Sequence, residues 1–457
     1  KLPDIGSNAL STISYEKEKL LGDILMRQTR ARLPVNYDPL IEDYINTLGN
    51  KLVTYAEDIH FPFNFFTVRD KSINAFAFFG GNVAVNTGII AIADNESELA
   101  SVVTHEISHV TQRHLSRRFE AQNRNTPLTL ASMLGGILLA VLSPEAGMAA
   151  IMASQAGSIQ SGINFTRANE KEADRIGIRI LALAGYDPHA APAFFDKLGN
   201  RFRFRSTPPQ FLLTHPLPES RVADSRMRAQ QYPRIRLEPS LNFQLVKSRV
   251  LVRYQMTPKE AVIYFNKQLK TKNYKLKAAA QYGLALAYTD NKQLGLAEVQ
   301  IKSLLERSPS NLFYIDTYVD LLNAKKQHAQ ALDFLAELYK LKPNNPVITL
   351  NYASTAVDAK KPDLAIELLN SYKISHGQNY IAADLLVSAY QQKKNMAKYH
   401  EMRAEVFSLL SLYDQSVEEL NLSLQLLRVQ QNKGLEKKRL YALRKHYKEQ
   451  LEQIKKM

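Results

Sequence analysis

His105-Glu106-Ile107-Ser108-His109 is the stretch on which the reading of this chain turns. On a helix of 3.6 residues per turn, the two imidazoles lie about 40° apart around the axis. Both therefore reach one metal ion, while Glu106 projects beside them toward a bound water. Two neutral nitrogen ligands and a carboxylate base make a metal-dependent hydrolase. The flanks are those of a helix: Asn95 followed by Glu98 reads as a capping box, and Leu99, Val102, Val103, Ile107 and Val110 recur at helical spacing toward a core. The competing reading, two histidines on the polar side of an ordinary amphipathic helix, weakens once a third ligand is found. His114 falls about 140° round a continuous helix from His109, which predicts a surface position that cannot share the metal.

A catalytic zinc takes three protein ligands and keeps one position for water. Downstream, Thr166-Arg167-Ala168-Asn169-Glu170-Lys171-Glu172-Ala173-Asp174 opens a second helical pattern that runs through Ile176, Ile180 and Leu183. Glu170 and Asp174 stand one turn apart. Glu170 is thus the candidate metal carboxylate, and Asp174 the candidate acceptor for the non-ligating N–H of a zinc histidine. Spacing alone leaves Glu172 as a competitor, because acidic residues are common in a first helical turn, where they complement the dipole.

With these two elements in order, the chain resembles the zinc peptidase family that contains HtpX and the CAAX prenyl endopeptidases. Two further stretches fit: Asn74-Ala75-Phe76-Ala77 with Gly80-Gly81 and Val83-Ala84-Val85 is similar to the family's NAFA...GG segment, and Thr214-His215-Pro216 with Arg221 to its HPxxxxR element. Thr166 departs from the family, which more often has Ser there. The resemblance implies one Zn2+ per chain, Glu170 as the third ligand, and Asp174 behind the zinc histidines.

Residues 73–90 read as a strand, a Gly-Gly turn and a second strand immediately before the zinc helix, with alternation at Val83 and Val85. An edge strand there offers unpaired N–H and C=O groups, so Asn74, Ala75, Val83 and Val85 are the candidate substrate edge; the alternative is a plain structural hairpin. His215 admits two opposed roles. It donates to the oxyanion of the tetrahedral intermediate, or it binds the metal itself as a fourth ligand in the resting state and moves aside for substrate. The inferred reaction is amide hydrolysis within a polypeptide, with Glu106 as base and then acid.

Residues of about 127–160 are unusually apolar, yet Gly135-Gly136 and Ser143-Pro144 interrupt them short of the roughly 20 residues a membrane span needs. A lid or membrane-surface hairpin is expected, against a buried core hairpin. Residues 227–257, punctuated by prolines, read as a connecting arm. From 258 a repeat takes over: Ala297, Ala331 and Ala365 step by 34 residues, as do Pro309 and Pro343, and Asn311, Asn345 and Asn379. That period resembles the tetratricopeptide repeat, although Gly377 stands at the third proline position. The run from Lys433 to Lys456 is a basic amphipathic helix, either a solvated face or a contact for acidic partners or anionic headgroups.

A chain of 457 residues with 45% hydrophobic and 23% charged residues supports two domains with full cores. The expected class is α+β and mainly helical: a zinc metallopeptidase domain with a small β-sheet over 1–226, the arm over 227–257, and an all-α repeat array over 258–457. A net charge of +15 invites nucleic acid, but the basic residues are scattered and no nucleic-acid fold element accompanies them. No cysteine is present, so thiol catalysis and disulfides drop out. The start at Lys1 suggests a mature form whose signal peptide has been removed. For the whole chain, the resemblance implies a periplasmic protease, peripheral to the outer membrane, that degrades misfolded or stalled outer-membrane β-barrel precursors and assists their assembly. The alternative is a chaperone or adaptor whose repeats dock on the assembly machinery with little proteolysis.

Overall fold

A computed structural model of the chain describes residues 13–125, 156–202, 209–428 and 433–455. The chain divides into two compact units, residues 1–36 with 41–250 and residues 37–40 with 251–457. It is mainly helical with one small sheet, as the sequence predicts.

In the first unit, helices α1 (Tyr15–Arg32) and α2 (Pro39–Val53) accompany strands β1 (Val35–Asn36), β2 (Asn64–Val68), β3 (Ala75–Phe78) and β4 (Asn82–Asn86), in the order β1-β2-β4-β3. β4 runs parallel to β2 and antiparallel to β3. Gly80 and Gly81 turn β3 into β4 with φ of +76° and +79°; a Cβ on Gly81 would also sit 2.5 Å from the Pro62 carbonyl oxygen. The sheet corrects part of the expected substrate edge. Val83 pairs with both Phe65 and Ala77, and Val85 with both Thr67 and Ala75, so the backbone of β4 is taken on both sides. β3, with β1 at the opposite side, is an edge of the described sheet. A second difference follows β4: the apolar run at 87–92 is a short helix, α3 (Thr87–Ile92), where periodicity alone does not separate a buried strand from a buried helix.

The HExxH residues lie on α4 (Glu96–Thr111). Asn95 caps it by accepting the Glu98 N–H at 3.0 Å, while the Glu98 carboxylate accepts from the Asp94 N–H and pairs with Lys197, so only half of the expected box forms. Arg113 then adopts φ +52°, which breaks the helix before α5 (His114–Asn125). The second site helix, α6 (Ala156–Leu183), begins earlier than expected, which puts Glu170 in its middle. Gly177 lets α6 approach α4: a Cβ there would come within 3.2 Å of the His105 backbone nitrogen. The expected hairpin at 127–160 falls mostly on 126–155, outside the described residues. No described helix is long and apolar enough to cross a membrane.

Helices α7 (Ala190–Phe202), α8 (Gln210–Thr214), α9 (Glu219–Ala229) and α10 (Leu241–Val250) complete the unit. The expected connecting arm, residues 227–257, thus includes the end of α9 and all of α10. Its prolines bracket helical residues whose apolar side chains Phe243, Leu245, Val246 and Val250 are fully buried, and Lys247 donates to the Ala93 carbonyl.

The second unit holds eleven described α-helices after a π-helical turn at Leu251–Gln255. Its period has a structural counterpart at each recurring residue. Ala297, Ala331 and Ala365 are fully buried, and Asn311, Asn345 and Asn379 each cap the following helix by accepting a backbone N–H at 3.0–3.1 Å. Lys292, Lys326, Lys360 and Lys394, also 34 residues apart, take left-handed φ between +55° and +61° in the turns. Tyr314 and Tyr318 are buried, and Tyr352 and Tyr390 pack against the core.

Candidate metal centre

α4, α6 and the residue after α8 bring His105, His109, Glu170 and His215 together, with one ligand atom from each within 4.8 Å of the others. His109 Nε2 lies 3.0 Å from His105 Nε2, which lies 3.2 Å from His215 Nδ1. The Glu170 oxygens stand 3.3 Å from His105 Nε2, 3.4 Å from His109 Nε2 and 3.1 Å from His215 Nδ1. Three imidazole nitrogens and a carboxylate cannot all face one another as acceptors without a shared cation or protons. A mixed nitrogen and oxygen set of this kind suits a divalent metal. The residues present therefore fit a metal ion.

Behind His105, its Nδ1 lies 3.0 Å from Asp174 Oδ1. Arg221 in turn grips Asp174 with Nε at 2.6 Å and a terminal nitrogen at 2.9 Å, and reaches Glu170 at 2.8 Å and the Pro216 carbonyl at 3.0 Å. This guanidinium is almost wholly buried. Burial opposes ionisation of Asp174 and Glu170, yet Arg221 and the neighbouring imidazoles outweigh it and hold both carboxyls below their ordinary range, Glu170 well below. Burial likewise opposes charge on His105, but Asp174 and Glu170 carry it up to about 9. His109 is pushed well below its ordinary value by burial. The sequence flagged Arg221 only as part of a motif; nothing in the spacing showed that it fastens α9 to two carboxylates on α6.

The environment of His109 differs from expectation. His114 is 4% exposed, and its Nδ1 lies 2.9 Å from His109 Nδ1. The expected surface position assumed a continuous helix; the left-handed turn at Arg113 swings His114 back instead. Its Nε2 lies 3.1 Å from Glu172 Oε2, which Arg117 holds at 2.9 Å. Glu172, the alternative third ligand on spacing, thus faces His114, and Glu170 faces the cluster. His114 stays outside the four-residue group.

Glu106 is buried, its Oε1 has no hydrogen-bond partner among the described groups, and burial raises its carboxyl. The nearest imidazole is His215, with Nε2 at 3.5 Å from that oxygen. His215 itself is 7% exposed, with the Phe211 ring 4.8 Å from its own. The Phe211 N–H donates to the Ile73 carbonyl at 3.0 Å, which ties α8 to the entry of β3. β3 packs against α4. Asn74 gives its carbonyl to the Asn86 N–H, so the backbone groups of Ala75 and Ala77 point the other way, where no described strand pairs with them.

Comparison with known proteins adds to this geometry. The model of peptidase family M48 matches residues 39–229, and a tetratricopeptide repeat model matches residues 322–390. The chain is 44% identical over 419 residues to a putative beta-barrel assembly-enhancing protease of Vibrio cholerae, covering 92% of this chain and 87% of that one. It is 41% identical over 416 residues to the beta-barrel assembly-enhancing protease of Escherichia coli strain K12, covering 91% and 85%. A mitochondrial metalloendopeptidase OMA1 of Arabidopsis thaliana is 30% identical over 132 residues, 29% of this chain and 25% of that protein.

Proposed function

The chain belongs to peptidase family M48, among the beta-barrel assembly-enhancing proteases, and we propose that it is a zinc-dependent endopeptidase acting on misfolded or stalled outer-membrane β-barrel precursors. The observation that carries this reading is the convergence of His105, His109, Glu170 and His215 beside the buried carboxylate of Glu106. The relatives' names support proteolysis and a part in β-barrel assembly; a periplasmic location peripheral to the outer membrane belongs to the same proposal. The repeat array supports docking on assembly machinery, and its basic C-terminal helix fits contact with an anionic surface.

In this reading His105, His109 and Glu170 hold the metal, Asp174 fixes the tautomer of His105, and Arg221 fixes Asp174. A bound zinc supplies Lewis-acid polarisation of the scissile carbonyl and acidifies a water toward neutral pH. Glu106 takes the proton of that water as its oxygen bonds to the carbonyl carbon, then delivers the proton to the amine as the C–N bond breaks. A substrate strand adds to the outer side of β3, where Ala75 and Ala77 offer N–H and C=O groups, with Asn74 at the entry.

His215 favours a second reading, in which the chain works mainly as a chaperone or adaptor. Its Nδ1 sits 3.1 Å from both Glu170 oxygens, where a fourth ligand closes the resting site. Zinc content and cleavage of an unfolded protein, measured for the unmodified chain, Glu106→Gln and His215→Ala, test both. Stoichiometric zinc is expected in the first two, with turnover lost by roughly two to four orders of magnitude in Glu106→Gln. Near-normal cleavage by Glu106→Gln sinks the peptidase assignment, and a His215→Ala variant unchanged in zinc and turnover sinks the gate. Bound zinc without cleavage in any variant favours the adaptor.

A further inference from the structure

His109 enters the cluster with Nε2, so a metal-bound, neutral His109 carries its ring proton on Nδ1. That nitrogen faces His114 Nδ1 at 2.9 Å, which must then accept. A neutral His114 accepting at Nδ1 has its own proton on Nε2, 3.1 Å from the Glu172 carboxylate. Arg117 donates to the same Glu172 oxygen at 2.9 Å. Every donor along the chain Arg117, Glu172, His114, His109 meets an acceptor with one assignment of protons, and the direction of each bond is fixed.

The surrounding structure spends an unfavourable backbone state to make this contact. Arg113 stands at φ +52°, a region L residues disfavour. It is held there by Glu18 of α1 at 2.7 Å from Nε, by the Ile13 carbonyl at 2.6 Å, and by the Tyr15 ring 4.4 Å away. Glu18 also accepts from the Ser116 hydroxyl in the first turn of α5. The turn and the start of α5 are thus fixed by α1, which leaves His114 little freedom to leave His109.

We propose that His114 is a positioning residue for the metal centre, fixing the tautomer and ring plane of His109 and passing to it the anchorage of Glu172 and Arg117. The inference rests on the zinc reading above. It gives His109 the support that Asp174 gives His105, with an imidazole interposed between ligand and carboxylate.

The test uses the full chain, with zinc affinity measured by chelator competition and the visible absorption of the cobalt-loaded protein as a second readout. His114→Phe keeps the ring volume and removes the acceptor; zinc affinity is expected to fall about 10–100-fold and the cobalt bands to change. His114→Gln, whose amide can both accept and donate, is expected to recover most of that loss. If His114→Phe does not fold, Glu172→Ala replaces it, since that side chain is 26% exposed; a fall of roughly threefold or more is expected. Unchanged affinity and cobalt bands in His114→Phe overturn the inference in favour of ring packing alone, and a Gln variant no better than Phe overturns it because an acceptor restored at that position then does nothing for the ligand. An unmodified chain that takes up no zinc overturns the metal reading itself, and this inference with it.

Discussion

Around the candidate metal centre the buried side chains include Arg221, Asp174, Glu170 and Glu106, whereas at the positions that recur along the repeat unit they are Ala297, Ala331 and Ala365. The first set is held by directional bonds between a few charges, each needing the others: remove Arg221 and two carboxylates lose the guanidinium they share. The second set is held by shape, with small side chains letting helices approach, and each contact is repeated elsewhere in the array. One region concentrates its dependence in single residues, and the other distributes it. That difference predicts how substitutions in each should behave.

The largest effect is expected for Arg221→Met, which keeps volume but leaves Asp174 and Glu170 buried without the guanidinium that bridges them. Breaking a buried ion pair from one side costs about 3–5 kcal/mol. Urea unfolding of the metal-free protein should register that loss; a change below about 1 kcal/mol would mean that water reaches the two carboxylates and that the contrast between the regions is overstated. Next comes Ala331→Leu. Added methylenes at a fully buried position force neighbouring helices apart at about 1–3 kcal/mol, and the same substitution at Ala365 should cost a similar amount if the units are equivalent. Strongly unequal losses would show that the repeats do not share load.

Legibility in the sequence follows the same division. The 34-residue period could be read because each repeat restates the same local requirement, a small residue in the helix interface and an asparagine at a helix start. The helix of the candidate metal centre could be read because Asn95, the apolar spacing and the two histidines all lie within one element. What could not be read depended on a break or on a partner far along the chain. His114 was misplaced because Arg113 is a non-glycine residue in left-handed backbone, which no local preference announces. Val83 and Val85 look like an edge because alternation reports faces of a strand and says nothing of neighbours on either side. Glu170 and Glu172 could not be separated by spacing; only the placement of α6 on α4, allowed by Gly177, directs one to the histidine cluster and the other to His114.

A smaller effect is expected at the helix starts. Asn345 accepts the Ile348 N–H at 3.1 Å, so Asn345→Ala should cost about 1 kcal/mol in the unfolding free energy, as should Asn379→Ala, whose side chain accepts from Ala382. If either proves neutral, the recurrence of asparagine in the array has a source other than capping.

The smallest effect, and the only gain, is expected for Lys360→Gly in the turn between two repeat helices. Lys360 has φ +57°, and holding an L residue in the left-handed region costs roughly 1–2 kcal/mol that glycine avoids. Glycine also frees the unfolded chain, which takes back about 0.4–1 kcal/mol. The balance favours the variant by on the order of 0.5 kcal/mol. Because Lys292, Lys326 and Lys394 occupy the same turn position, the four substitutions combined should raise the melting temperature measurably where one alone is near the limit of detection. A combined variant that melts lower would mean that these lysines stabilise the turns by more than their backbone cost. The repeat unit would then, like the metal centre, depend on charged side chains at fixed positions.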